Sequence, residues 1–160
     1  MWRKHDLARL RGRSATERDL LVEAMWWLGV ARGAILALPF RWTARLFALS
    51  PGETQTVVNP DSPEVTQRIA WALRVASARS PWRSTCLAQA LAGSVMLRRR
   101  RLPGTLVLGV ARSDAEGRQL MAHAWLSSGR AIITGIDEHE RYNAVAKFTV
   151  NRRCVPPRAS

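Results

Sequence analysis

Leu102-Pro103-Gly104-Thr105-Leu106-Val107-Leu108-Gly109-Val110 is where the apolar pattern of this chain changes period. Before it, apolar residues recur at helical spacing; from Thr105 onward they form short runs and alternations of the kind strands require. Pro103 and Gly104 punctuate the change, since neither sustains a helix. The order is therefore helices first and an antiparallel sheet afterwards. That order predicts an α+β fold in which a cysteine-bearing helix packs on the sheet.

Working back from Leu102, Thr85-Cys86-Leu87-Ala88-Gln89-Ala90-Leu91 opens an apolar helix that runs to about Arg100. Ser84 or Thr85 can cap it, and Leu87, Ala90, Leu91, Val95 and Met96 form its inner side. Ser80-Pro81-Trp82-Arg83-Ser84 breaks the chain before that helix. Ser62-Pro63-Glu64 starts another, with Val65, Ile69, Ala72, Leu73 and Ala76 on one side. A polar loop occupies residues 50–61. Ser14 and Glu17 make a capping box for a helix from Ala15 to about Leu38, with Leu20, Leu21, Ala24, Trp27, Leu28 and Ala31 at helical spacing. Pro39 ends it, and Arg41 to Leu49 reads as a short helix.

Working forward, Ser113-Asp114-Ala115-Glu116-Gly117 is a turn and Gln119 to Leu126 a second strand. Ser127-Ser128-Gly129 turns the chain into a third strand, Arg130 to Thr134, and Phe148-Thr149-Val150 adds a short fourth. The expected division is a helical region at 1–61, a core at 62–153 and a tail at 154–160.

At 160 residues, 47% hydrophobic and 23% charged, the chain has the size and composition of one globular domain. Its net charge of +13 favours anionic partners such as nucleic acid, anionic lipid or an acidic polypeptide. The tetrad Arg98 to Arg101 reads as a solvated helix end, with docking of an acidic peptide or a phosphate backbone as the alternative. Two cysteines, Cys86 and Cys154, make no disulfide framework. Together with the absence of a signal-peptide pattern, this points to a reducing cytoplasm. Leu20 to Phe40 is long enough to cross a bilayer, but Glu23 and Arg32 interrupt it, which favours a buried helix. No cysteine or histidine spacing suits a metal, and no glycine-rich phosphate loop is present, so neither a metal nor a cofactor is expected.

The chemistry resides in Cys86 and in Ala122-His123-Ala124-Trp125. A thiol in the first turn of a helix lies beside backbone N–H groups and the positive end of the helix dipole, which favour thiolate. A histidine on a following strand supplies the base, and a third group orients the imidazole. Asp137 is the candidate for that third role, although a turn at Ser128-Gly129 places residues 133–135 opposite His123 and leaves Asp137 slightly beyond register. Glu138 and Glu140 are its alternatives. The same residues also read more plainly, as a core thiol, a structural histidine and solvated carboxylates. Trp125 reads first as core.

Taken in order, residues 81–92, the arginine run with Leu102-Pro103-Gly104, the strand 106–110 and Ala122-His123-Ala124-Trp125 resemble the transglutaminase-like cysteine peptidases of lasso-peptide biosynthesis. The resemblance covers about Thr16 to Phe148. It implies a transglutaminase- or papain-like fold and a leader peptidase acting on a ribosomally made precursor. Cys86 would be the nucleophile, His123 the base, and Asp137 a carry-over from the family's aspartate. It also implies partners: the precursor's leader peptide, a small separate leader-recognition protein and an ATP-dependent lasso cyclase, with no nucleic acid. With no β-rich segment before Thr16, the chain reads as the split form, which lacks a fused recognition domain. The helix around Trp26-Trp27 and the arginine run become candidate docking faces. Two rivals remain: a non-enzymatic basic nucleic-acid-binding module, and a transamidase or amidase using the same Cys-His pair.

Overall fold

The computed structural model describes residues 15–52, 63–112, 120–135 and 141–150. Among them are four helices: α1 (Ala15–Ala37), α2 (Phe40–Leu46), α3 (Pro63–Arg79) and α4 (Cys86–Arg99). Five strands follow the same chain order: β1 (Ser50–Pro51), β2 (Gly104–Arg112), β3 (Leu120–Ser128), β4 (Ala131–Thr134) and β5 (Asn143–Val150). The strands form one antiparallel sheet in the order β1-β5-β2-β3-β4. The expected α+β architecture, helices packed against an antiparallel sheet, is the one observed.

The cysteine helix α4 lies between the sheet and the other long helices. Every residue from Ala90 to Leu97 is buried, because this span faces α1 and α3 on one side and the sheet on the other. Gly93 permits the closest approach. A Cβ there would lie 2.6 Å from Leu126 Cδ2 and 3.0 Å from Leu73 Cδ1. Leu28, Ile69, Leu73, Leu91, Met96, Leu97, Leu106 and Leu126 are fully buried and make the centre of the core. Removing such side chains from water is the main force holding helices to sheet.

Several local expectations are corrected. Of the two expected caps it is Thr85 that caps α4: its hydroxyl accepts from the Ala88 amide at 3.3 Å. Leu87, Trp27 and Val65 are only partly buried against the core, and Ala88 and Ala34 take inner positions. The short helix α2 spans Phe40–Leu46 instead of residues 41–49. The last strand, β5, is eight residues long instead of three, and Ser50–Pro51 pairs with its end. The β3–β4 turn is tighter than expected, with Ser128 paired to Ala131 and Gly129 at φ +59.

The arginine run is solvated only in part: Arg99 and Arg101 are exposed, and Arg98 and Arg100 are half-buried. Arg98 donates to Phe47 O at 2.7 Å, tying α4 to the residue that follows α2. Arg99 and Arg100 both pair with Glu23 of α1, at 3.0 and 2.6 Å, and Arg100 also donates to Met96 O. Arg98 and Arg100, half-buried and bonded, are therefore structural.

The helix α1 is long and apolar enough by length and composition to cross a membrane. Its Leu20, Leu21, Ala24, Leu28, Ala31 and Ala34 are nevertheless buried in the core. The Ser14 and Ser62 caps, the 113–117 turn, Asp137, Glu138, Glu140, Cys154 and the rest of the tail lie outside the described residues.

Candidate active site

Thr85 and Cys86 set the start of α4. With the Thr85 hydroxyl on Ala88 N and the Thr85 carbonyl on Gln89 N, the amides of Cys86 and Leu87 are left at the helix start without a helical partner. Gln89 Nε2 donates to Ser84 O at 3.3 Å and fixes the approach to the helix. The Cys86 side chain is a half-buried free thiol at the edge of the core.

Contacts along α4 locate this thiol relative to the sheet. A Cβ on Gly104 would lie 2.8 Å from Leu97 Cδ1 and 3.3 Å from Ser127 O, whereas Gly93 sits against Leu126 and near Ile133. Going back from Leu97 toward Cys86, the helix thus follows β3 backward and drifts from β2 toward β4. Seven residues of helix from Gly93 to Cys86 cover roughly 10 Å. Three residues of strand from Leu126 to His123 cover roughly the same distance. The cysteine end of α4 therefore lies at the level of His123, displaced toward β4.

His123 is on the opposite sheet face from the body of α4. Ala124 and Leu126 point into the core, and His123 and Trp125 alternate with them. The imidazole stacks with Trp125, centroids 6.1 Å apart, and tilts against Tyr142 at 4.9 Å. Gly109, paired with His123, leaves room for the indole: a Cβ there would be 2.7 Å from Trp125 Cζ3. Trp125 walls the histidine instead of filling the core.

The imidazole then reaches sideways across the sheet. Its Nε2 lies 3.3 Å from Gly135 O, directly after β4. A carbonyl oxygen only accepts, so this contact puts the ring proton on Nε2 and leaves Nδ1 as the basic nitrogen. Gly135 is held at φ +77, and a Cβ on it would lie 2.9 Å from His123 Nε2, Ala124 O and Trp125 Cβ. A cleft of about 370 Å³ has both Gln89, one turn beyond Cys86, and Gly135 in its wall. Gln89 and Gly135 thus share one cleft, with Cys86 one helical turn before Gln89 and His123 bonded to Gly135. Among the described residues no hydrogen bond joins thiol to imidazole; the imidazole's bond goes to Gly135.

The expected register is corrected here. Thr134 pairs with Leu126 and not with His123, and the ladder slips by one residue at Ile133 between Leu126 and Ser127. The objection that Asp137 lay beyond register assumed a pairing that the structure replaces. Asp137, Glu138 and Glu140 themselves lie outside the described residues, so the third member is open.

Residues 34–147, which include Cys86 and His123, match one family model, the transglutaminase-like superfamily. The chain belongs to the transglutaminase-like superfamily. No curated protein and no solved structure is significantly similar to it. Transglutaminase-like proteins are in general cysteine-dependent enzymes, and the fold suits peptidase or transamidase chemistry alike. The match begins within α1 and includes β2, β3, β4 and most of β5. Sequence reasoning missed Gly135, Gly109 and Tyr142 as neighbours of His123. A glycine within an apolar strand pattern is a sign of close approach, and Gly109 carried that sign.

Proposed function

We propose that this transglutaminase-like protein is a cytoplasmic cysteine peptidase that removes the leader from a lasso-peptide precursor. It would act with a separate leader-recognition protein and an ATP-dependent cyclase. What supports the peptidase reading is the transglutaminase-like family together with a free thiol at the start of α4 and a histidine whose Nε2 is tethered to Gly135. The lasso assignment rests on the sequence resemblance that runs from Pro81-Trp82 through Cys86-Leu87 to Ala122-His123-Ala124-Trp125.

In this mechanism Nδ1 of His123 takes the thiol proton and Cys86 Sγ adds to the carbonyl carbon of the scissile amide. The amides of Cys86 and Leu87 hold the oxyanion. The imidazolium gives its proton to the leaving nitrogen as the C–N bond breaks, freeing the core's N-terminal amine and leaving the leader as a thioester. Water, losing a proton to Nδ1, adds to the thioester; collapse expels the Cys86 thiolate, which recovers the proton, and releases a carboxylic acid. Asp137, with Glu138 as alternative, is assigned to orient the imidazole through Nε2, in place of the Gly135 carbonyl that holds it here. The recognition protein is assigned to the outer side of α1, where Val22 and Trp26 are 69% and 64% exposed.

The test is mass spectrometry of precursor incubated with the recognition protein and either wild-type enzyme, Cys86→Ala or His123→Ala. Each variant is expected to lose leader removal by about 10³-fold or more. Removal at the wild-type rate by either one overturns the mechanism. A leader recovered as an amide of an added amine, in place of an acid, would redirect the assignment to transamidase chemistry.

A further inference from the structure

Where α1 gives way to α2, the seven consecutive residues 36–42 are all exposed, and Leu36-Ala37-Leu38-Pro39-Phe40 is an unbroken apolar run among them. Leu36 is 70% exposed; on α2, Trp42 and Leu46 stand one turn apart and are 52% and 58% exposed. Apolar runs left in water are costly and mark a binding surface. This one is not a frayed helix end. Thr43, Ala44 and Phe47 are buried beneath it, Phe40 meets the Phe148 ring edge-on with centroids 5.6 Å apart, and Arg98 holds Phe47 O. The core thus fixes the corner while its outer side chains stay in water. The charge beside them has one sign. From Ala24 to Gly52 the sequence has three arginines, Arg32, Arg41 and Arg45, and no aspartate or glutamate. Arg32 stands one turn before Leu36, and the Arg45 guanidinium lies over the Trp42 ring, 5.4 Å from its centroid.

We propose that the α1–α2 corner is a peripheral membrane contact: Leu36, Leu38, Trp42 and Leu46 enter the interface of an anionic bilayer, and Arg32, Arg41 and Arg45 stay with its phosphates. The proposal does not depend on the peptidase reading. Leucine supplies apolar depth, whereas tryptophan and arginine have an apolar body and a polar tip that suit the headgroup level. A stable protein partner would take roughly 20–30 residues a side and would have to set its carboxylates against particular arginines. A bilayer offers diffuse negative charge and an apolar interior together, which a short basic and apolar corner can use. The net charge of +13 adds attraction to such a surface from a distance. Contact at the corner leaves the fold intact, whereas α1 could cross the bilayer only by taking Leu28, Ala31 and Ala34 out of the core.

Two measurements on the full chain test this. The first is flotation with vesicles of phosphatidylcholine alone or of equal parts phosphatidylcholine and phosphatidylglycerol. Wild-type protein is expected to float with the anionic vesicles. Leu36→Gln combined with Trp42→Gln keeps the charge and changes only exposed positions, and is expected to weaken that partition by about 10-fold or more. Arg41→Glu combined with Arg45→Glu is expected to weaken it by at least as much. Equal flotation of wild type and the glutamine variant would mean adsorption by net charge alone and overturns the proposal. So does a wild-type protein that stays off anionic vesicles and sediments as a dimer that the glutamine variant dissociates, since the corner would then pair with a second copy. The second measurement is quenching of tryptophan fluorescence by bromines placed on the acyl chains. Quenching is expected in wild type and is expected to weaken in Trp42→Leu, which keeps an apolar side chain and still binds. Undiminished quenching in Trp42→Leu would place a different tryptophan in the bilayer and overturns the proposal.

Discussion

Gly135 carries more of the site than its size suggests. Its φ of +77 lies where a side chain is strained, and its carbonyl holds Nε2 of the imidazole at 3.3 Å. A methyl group at this position would meet His123 Nε2, Ala124 O and Trp125 Cβ, all at 2.9 Å. The neighbours cannot all give way, since one of them is backbone paired in the middle of β3. Gly135→Ala is therefore expected to cost about 1–3 kcal/mol of stability through strain and crowding. It should also turn the imidazole away from its tether, so turnover is expected to fall at least 10-fold at temperatures where the variant remains folded. Denaturant melts and peptide turnover separate the two effects. A destabilised variant with wild-type kcat would show that Gly135 shapes the chain and does not position His123.

At the scale of elements, the legible parts were those with one dominant period. The helical spacing of Leu20 to Ala31 and Ile69 to Ala76, and the cap at Thr85, read true because burial follows a single stripe. Cys86 and His123 were also visible, as a helix start and a strand residue. What stayed hidden was pairing. Asn143-Ala144-Val145-Ala146-Lys147 mixes small and charged residues and shows no strand signal alone; β5 forms because β2 pairs with it along its length. The slip at Ile133 sets Thr134 opposite Leu126, and no local pattern announces such a slip. The arginine run misled for a similar reason, because its partners Phe47 and Glu23 are far away in sequence. Arg100→Ala removes a bidentate pair to a Glu23 side chain only 17% exposed and a bond to Met96 O. It is expected to lower stability by about 1–3 kcal/mol, read from the urea midpoint. A variant with an unshifted midpoint would return the run to the surface role its sequence suggested.

At the scale of the whole molecule, the N-terminal helices and the sheet depend on each other. Leu20, Leu21, Ala24, Leu28, Ala31 and Ala34 of α1 are buried in the same core as Leu73, Leu91 and Leu97. Glu23 is the counter-charge for Arg99 and Arg100 at the end of α4, Phe47 O receives Arg98, and Ser50–Pro51 pairs with the last strand. A fragment beginning at residue 62 keeps Cys86, His123 and Gly135 but loses every one of these contacts. Each buried leucine removed from the core forfeits roughly 1.5–3 kcal/mol, and a domain's whole stability is only about 5–15 kcal/mol. The three α1 leucines alone therefore approach the total. The fragment also uncovers the apolar sides of α3 and α4 together with unpaired arginines. It is expected to lack a cooperative thermal transition and near-ultraviolet dichroism, and to regain both when residues 1–61 are supplied in trans. A fragment that melts cooperatively by itself would show that the cysteine helix and the sheet are an independent unit, with α1 an accessory laid against it.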